Sequence, residues 1–391
     1  MAQVDSVSNL TSRNQHVIAI DLVRFLAAAL VLLSHLAFSI GARPDSRPYE
    51  LSGGTMPQAL LPGLSFYGWI GVQVFFVVSG IVIAYSAHGA TPYAFFRSRV
   101  LRLVPAAWLC TTLIFVVLLW HHGALTTDLL RGFRHSMLFM PWDPWIDYAF
   151  WTLGVEISFY TAVGVLIYRR QLRSIGTLAS VLAWVCLLYW LLFSLGQWGG
   201  GLPELAILRG KLPYFAERVL ELLLVKHGSF FAAGIYIWAV FIDRRSGPAW
   251  WNVAATLAAC VLEVYWTNVY ANGPRTNPWW PAMAIGCGSV AMILAGIRYN
   301  AELRSNATVV RVLRTLGLMT YPLYLLHQSI GSVVIGQLRL TGVEPVAALC
   351  IATLLVMALS WSVVSYAEPA LKSWMGEAMD FGRARLIRMR A

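Results

Sequence analysis

Two ionisable side chains, Arg24 and His35, lie inside the first long apolar stretch of the chain, which runs from residue 17 to residue 40. An ionisable group at membrane depth is costly, so it points to a function by default. The two residues are eleven positions apart, and eleven residues bring an α-helix back to nearly the same face, about 16 Å further along its axis. One helix face is therefore predicted to carry a cation near one membrane surface and a titratable base deeper in.

The composition is that of an integral membrane protein with many spans. Of the 391 residues, 58% are hydrophobic and only 12% are charged, which is about half the charged fraction of a soluble domain. The formal net charge is +11, but the arginines form short clusters between apolar stretches. Because such clusters are the topology signal of a membrane protein, we expect membrane lipids and no nucleic acid as partners.

Ten apolar segments are long enough to cross a bilayer, which takes about 20 residues. They lie near residues 17–40, 63–87, 104–120, 151–168, 175–195, 222–242, 250–268, 281–298, 315–336 and 345–366. We therefore predict an all-α polytopic protein with about ten transmembrane helices. Its transmembrane domain would span 17–372, between an N-terminal tail at 1–16 and a basic C-terminal tail at 373–391. The first segment is too long, and carries too many charges, for a cleaved signal peptide.

The distribution of cations predicts the topology. About two thirds of the 29 Lys and Arg residues lie on one set of alternate connections, the set that includes both chain ends. By the positive-inside rule, this set faces the cytoplasm, so both termini are predicted to be cytoplasmic. The longest loops, at 41–62, 121–150 and 196–221, would then lie outside and are candidates for substrate contact.

Segment four contains a carboxylate, Glu156. Counting 1.5 Å per residue from the predicted outer end of this segment puts Glu156 about 8 Å deep, close to the depth of His35. A carboxylate at that depth can orient an imidazole, raise its basicity or hold a sugar hydroxyl. The alternative is a carboxylate that only fixes helix packing.

Segment nine carries a second polar stripe. Tyr321, Tyr324 and His327 recur every three residues and so share a helix face. Pro322 predicts a kink, which membrane helices tolerate where the backbone borders a cavity. Tyr324 and His327 are therefore candidates for chemistry, although His327 also fits an ordinary hydrogen bond between helices.

An arginine cluster precedes segment three at the predicted cytoplasmic mouth. Arg97, Arg99 and Arg102 are spaced two and three residues apart, and such residues ordinarily anchor the topology. Together with Arg24 on the same side, they can also clamp phosphates, because the planar guanidinium bonds phosphate oxygens bidentately.

Small residues mark the inner part of segment two. Gly71, Ser79 and Gly80 permit close approach between helices. The alternative for Ser79 and Gly80 is that they let the polar arm of a ligand pass the backbone.

No metal site is predicted. His121 and His122 are adjacent in an outer loop, and His135 follows without a carboxylate at metal-ligand spacing. The five cysteines are isolated within apolar segments, which favours packing over metal or redox chemistry.

Taken in order, these pieces resemble the motifs of the membrane-bound acyltransferase-3 family. The resemblance covers nearly the whole chain, from about residue 17 to residue 372, with Gln73 and Ile81 as departures that bear on the subfamily. The matching motifs are Arg24-x10-His35, Gly71-Val-x-x-Phe-Phe-x-x-Ser-Gly80, Arg99-x-x-Arg102-x-x-Pro105, Trp151-x-x-x-x-Glu156-x-x-Phe-Tyr160, Tyr324-x-x-His327 and Glu368-Pro-Ala370.

The resemblance implies an O-acyltransferase of the bacterial inner membrane that lacks the extracytoplasmic esterase-like domain fused to some members. It implies acyl-CoA, most often acetyl-CoA, as donor substrate, with no permanently bound cofactor. The acceptor would be a hydroxyl of a polysaccharide, a lipopolysaccharide or a lipid-linked sugar, and glycan-assembly machinery a partner. The residues that would bind the donor are Arg24, Ser79, Gly80, Arg99 and Arg102. The residues that would carry the chemistry are His35, Glu156, Tyr324 and His327.

Two questions stay open on the sequence alone. The first is the mechanism: His35 acts either as general base on the acceptor hydroxyl or as an acylated relay. The second is the class of protein, since many spans and intramembrane His, Glu and Arg are also typical of a proton-coupled transporter. A structural or sensory membrane protein is a third possibility, although neither rival accounts for the ordered motifs.

Overall fold

Helices make up nearly all of the computed structural model, which describes residues 17–198, 213–243, 247–272 and 276–388 and contains no β-strand in those ranges. Nine of its helices are long and apolar enough to cross a membrane, and a tenth apolar helix is shorter. The predicted all-α polytopic membrane fold is confirmed. The predicted N-terminal tail at 1–16 lies outside the described residues, and the cytoplasmic placement of the termini stays a prediction.

The ten apolar helices are numbered α1 to α10 in chain order, and each overlaps one of the predicted segments. Their bounds are α1 Ile18–Ala42, α2 Pro62–Ala87, α3 Pro92–His122, α4 Tyr148–Tyr168, α5 Leu172–Gln197, α6 Gly228–Ile242, α7 Trp250–Ala271, α8 Trp280–Arg298, α9 Ala307–Leu340 and α10 Pro345–Arg385. Short helices outside this set are Arg47–Leu51, Thr127–Met137, Tyr214–Leu222 and Asn300–Ser305.

Helix α3 begins well before the predicted segment at 104–120. The Thr91 side chain caps it by accepting a hydrogen bond from the Ala94 backbone N–H at 3.2 Å, and Pro92 occupies the first turn, where a missing N–H costs nothing. The arginine cluster therefore lies on a regular helix and not on a loop.

Helix α10 runs on past the predicted membrane segment. Residues 373–385, assigned from the sequence to a tail, belong to this helix and pack against the start of α3. The Arg97 guanidinium donates to the Asp380 carboxylate at 2.8 and 3.0 Å. Arg97 thus fixes the end of α10, in contrast to its neighbours in the arginine cluster.

The core of the bundle lies where α1, α2 and α9 meet. Helix α9 packs against α1, α3 and α10, while α2 packs against α1 and α6. Gly80 of α2 faces Gly234 of α6, and a Cβ on Gly80 would lie 2.9 Å from the Gly234 Cα. Gly80 therefore permits the close approach of two backbones, as small residues do in membrane helix interfaces.

Helix α1 is not a regular α-helix throughout. Residues Ser34–Ser39 form a π-helical turn that contains His35, and the Ser39 hydroxyl donates to the Ser34 carbonyl at 2.9 Å. Such turns are rare and are found frequently at functional sites. The uniform helical repeat used for the sequence prediction does not anticipate this turn.

Gly80→Ala should destabilise the protein, because the added Cβ would lie 2.3 Å from the Phe231 carbonyl oxygen. Overpacking costs about 1–3 kcal/mol, which exceeds the ~0.5–1 kcal/mol that alanine gains over glycine within a helix. The control is Gly288→Ala in α8, where the new Cβ meets open space. The measurement is the midpoint of thermal unfolding of each variant in detergent. Equal midpoints for the two variants would contradict the close contact between Gly80 and Phe231.

Candidate functional site

Two cavities lie inside the bundle and share part of their walls. The first has a volume of about 280 Å³ and the second about 530 Å³. Val72 and Tyr324 line both. The first, the arginine cavity, is lined by polar residues Arg24, Ser79, Ser98, Arg99, Arg102, Thr152, Glu156, Tyr160, Thr320, Tyr321, Tyr324 and Lys372. The second, the histidine cavity, contains His35.

The arginine cavity has an excess of positive charge, and at least one of its hydrogen-bond donors is unpaired among the described residues. Arg24, Arg99, Arg102 and Lys372 line it, against the single carboxylate of Glu156. The Nη2 atom of Arg102 is buried and has no hydrogen-bond partner among the described residues. A buried polar atom without a partner is costly and calls for an explanation. An anion in this cavity would supply the missing acceptor.

The carboxylate of Glu156 belongs to the arginine cavity. Its Oε1 accepts hydrogen bonds from the Ser79 hydroxyl at 2.6 Å and from the Tyr160 hydroxyl. The sequence predicts this carboxylate at about the depth of His35, where it could orient an imidazole, hold a sugar hydroxyl or fix helix packing. The structure gives its hydrogen bonds to α2 and to its own helix instead, because Glu156 and Tyr160 are one helical turn apart.

Tyr324 occupies the junction of the two cavities. Its ring packs edge-on against Phe75 at 5.5 Å between centroids, and its hydroxyl lies 3.1 Å from Thr152 Oγ1. Both the arginine cavity and the histidine cavity contact this side chain. A hydroxyl at that position can donate to an oxyanion that forms between the cavities.

His35 and His327 lie next to each other, with ring centroids 5.3 Å apart. His35 lines the histidine cavity, whereas His327 is fully buried behind it and lines neither cavity. His327 Nδ1 lies 2.8 Å from the Tyr324 carbonyl and 3.2 Å from the Leu323 carbonyl. That nitrogen therefore carries the proton, which leaves Nε2 as an acceptor. His327 Nε2 and His35 Nδ1 are both buried without a hydrogen-bond partner in the described part of the chain.

The histidine cavity combines aromatic walls with polar groups. Its aromatic residues are Phe38, Phe66, Trp69, Tyr148, Trp151, Tyr189, Trp190, Phe193, Tyr270 and Tyr324. Its polar residues include Arg43, Gln73, Glu217, Glu221, Lys226, His227 and Gln328. An apolar pocket with a few convergent polar groups is the usual form of a small-molecule site.

Glu221 is tied into an ion-pair network at the rim of this cavity. Arg218 donates to it at 2.9 Å and Lys226 at 3.2 Å. Although burial opposes ionisation, Lys226 and Arg218 hold the pKa of Glu221 below its ordinary value. The carboxylate therefore stays ionised and accepts the hydrogen bonds of both cations.

Asp147 holds α4 and α9 together, and sequence reasoning missed it. Its carboxylate accepts from the Ala149 N–H at 2.8 Å, from the Ser329 N–H at 3.0 Å and from the Ser329 hydroxyl at 2.5 Å. Ser329 follows His327 by two residues. Asp147 thereby fixes the position of the helical turn that carries Tyr324 and His327 relative to the start of α4.

The fold and the site together define a polytopic membrane protein with a cationic cavity and an aromatic cavity that meet inside one bundle. The acyltransferase-3 family model, described as an acyltransferase domain, matches residues 17–365. The chain belongs to this family and is a membrane acyltransferase. No curated protein and no solved structure matches the chain.

Asp147→Asn should lower the free energy of unfolding by about 1–3 kcal/mol, because an amide N–H₂ would face a buried N–H or hydroxyl in place of an acceptor. The control is Asp128→Asn, whose side chain is 86% exposed. Thermal unfolding in detergent is the measurement. If both variants unfold with the midpoint of the wild type, Asp147 does not join the two helices.

Proposed function

We propose that this acyltransferase moves an acyl group from acyl-CoA in the arginine cavity to a hydroxyl of a glycan or glycolipid in the histidine cavity. One observation carries the proposal: two cavities of different chemistry meet at Val72 and Tyr324, and His35 lines the second. Such an arrangement suits a donor and an acceptor that approach from opposite sides of a membrane.

The charge of the arginine cavity supports a CoA thioester as donor. CoA carries several phosphates, and arginine bonds phosphate oxygens bidentately. The cations Arg24, Arg99, Arg102 and Lys372 would bind these phosphates at the predicted cytoplasmic mouth. The long pantetheine arm would then extend toward Tyr324, along the wall where Ser79 and Glu156 are hydrogen-bonded.

The walls of the histidine cavity support a sugar as acceptor. Aromatic side chains offer flat apolar faces while their N–H and O–H groups reach polar partners, and a sugar ring presents both apolar C–H faces and hydroxyls. Trp69, Trp151 and Tyr189 supply such faces, with Gln73 and Gln328 as hydrogen-bonding groups. The family resemblance adds acetyl as the acyl group and the bacterial inner membrane as the location.

In the proposed reaction, the His35 imidazole removes the proton of the acceptor hydroxyl, and the oxygen attacks the thioester carbonyl. The C–O bond forms, the C–S bond breaks, and the proton passes to the CoA thiolate. Tyr324 would stabilise the oxyanion, and His327 would hold the ring of His35 from behind. In the covalent variant, His35 first takes the acyl group itself and then delivers it to the acceptor.

His35→Ala should abolish release of CoA from acetyl-CoA, because the variant lacks the imidazole that both forms of the mechanism require. The measurement is CoA release by purified protein in detergent, with and without a glycolipid extract of bacterial membranes. His88→Ala, at an exposed position, is the control and should match the wild type.

Release that requires the extract and disappears in His35→Ala would support the proposal. Equal release by the wild type and His35→Ala would remove His35 from the chemistry. No release by the wild type under any condition would argue against acetyl-CoA as the donor.

Arg99→Ala combined with Arg102→Ala should weaken binding of acetyl-CoA at least tenfold, because each hydrogen bond to a charged group contributes about 1.5–3 kcal/mol. Arg311→Ala combined with Arg314→Ala removes the same charge from exposed positions of α9 and controls for net charge. Equilibrium binding of acetyl-CoA is the measurement. Equal affinity in the two double variants would rule out a phosphate clamp at Arg99 and Arg102.

A further inference from the structure

A second buried pair of ionisable groups borders the histidine cavity. His227 directly precedes α6, and Glu263 lies within α7. His227 Nδ1 is 2.7 Å from Glu263 Oε1, in a pair that joins the two helices. Glu263 is fully buried and His227 is nearly so. The reaction outlined above uses neither side chain.

The geometry of the pair fixes the orientation of the His227 imidazole. A carboxylate accepts hydrogen bonds, so His227 Nδ1 donates to Glu263, and in the neutral imidazole Nε2 is the atom that carries the lone pair. The ring is held between Phe76 and Trp151, each with its ring centroid 5.5 Å from that of His227. This is an imidazole with a defined tautomer and orientation, which is what a general base needs.

Helix packing alone does not explain the pair. Glu263 Oε2 and His227 Nε2 are both buried and have no hydrogen-bond partner among the described residues. Breaking or half-satisfying a buried pair costs several kcal/mol in general, and each unpaired atom costs about 1–3 kcal/mol. An apolar pair would join α6 and α7 without this cost. His227 also lines the same cavity as His35.

Two other charged groups of this cavity, Glu221 and Arg43, are less suited to take a proton. Glu221 is engaged by Arg218 and Lys226, and a carboxylate held in its ionised form by two cations is a weak base. The Arg43 guanidinium donates to the Ala271 carbonyl at 2.5 Å and is always protonated. His227 is the group with a free lone pair on a nitrogen and a carboxylate behind it.

We infer that His227, held by Glu263, takes the proton of the acceptor hydroxyl, while His35 carries the acyl group between the two cavities. The inference rests on the proposed function and selects the covalent variant of its mechanism. His227 is then a catalytic residue that contacts the acceptor, and Glu263 is a positioning residue that acts through it.

The two steps balance. First, a His35 ring nitrogen attacks the thioester carbonyl, the N–C bond forms, the C–S bond breaks, and the His35 N–H proton goes to the CoA thiolate. Second, the acceptor oxygen attacks the acyl carbon, the C–O bond forms, and the C–N bond to His35 breaks. The hydroxyl proton moves to His227 Nε2, and the resulting imidazolium returns it to His35. Free CoA and an ester are the products.

The test separates the two steps. The first step is measured without acceptor, as exchange of radiolabelled CoA into acetyl-CoA. The second is measured as transfer of a labelled acetyl group to a glycolipid extract of bacterial membranes. The variants are His227→Gln, Glu263→Gln and Glu263→Asp. His88→Gln and Glu302→Gln, both at exposed positions, are the matched controls.

We expect His227→Gln and Glu263→Gln to exchange CoA at rates within about twofold of the wild type and to transfer at least 100-fold more slowly, the scale of a lost general base. Glu263→Asp should recover part of the transfer rate, since it restores the carboxylate. Retained exchange shows that the variants are folded.

Three results would overturn the inference. The wild type could show no exchange while its transfer still depends on His35, which would leave the proposed function standing with direct transfer. His227→Gln could transfer at the wild-type rate. Alternatively, His227→Gln and Glu263→Asp could both lose exchange along with transfer, which would assign the pair to helix packing. Failure of the proposed function itself is a different result, namely transfer that is absent or indifferent to His35.

Discussion

The cost of placing charged groups inside an apolar bundle is the constraint on which the rest of this structure depends. Arg24, Arg99 and Arg102 lie among helices whose other residues are mostly apolar, and all three border one cavity. The buried Nη2 atom of Arg102 shows the consequence, since no described residue satisfies it. An anion that accepted a hydrogen bond from this atom would remove the cost, and under the proposed function the phosphates of the donor would do so.

The junction between the cavities depends on how α9 is held. Pro322 leaves this helix without one backbone hydrogen bond. His327 Nδ1 donates to the carbonyls of Leu323 and Tyr324, about one turn before it in the same helix. Asp147 binds Ser329 from the other side. Tyr324 thus lies on a turn whose position is fixed by His327 and by the contact between Asp147 and Ser329.

The sequence predicts the helices and most of the arginine cavity, because apolar length and the rarity of intramembrane charge are local signals. The partners of Glu156 could not be predicted in this way. Counting residues along one helix estimates the depth of its carboxylate but does not show that the carboxylate accepts hydrogen bonds from Ser79 and Tyr160. His227 and Glu263 lie within predicted segments, so the criterion that selects Arg24 also selects them. Their pairing joins residues 36 positions apart, and no periodicity within one helix reveals it.

The number of bases in the histidine cavity bears on the mechanism. Direct transfer removes one proton from the acceptor hydroxyl and needs one base, yet His35 and His227 both line this cavity. His35 lies beside the junction, against His327 and close to the turn of Tyr324, whereas His227 packs against α2 and α4 through Phe76 and Trp151. Under the proposed function, a group at the junction would meet the thioester, and a group on the cavity wall would meet the acceptor. Two imidazoles with different surroundings therefore favour two steps, acylation and then transfer, over a single displacement.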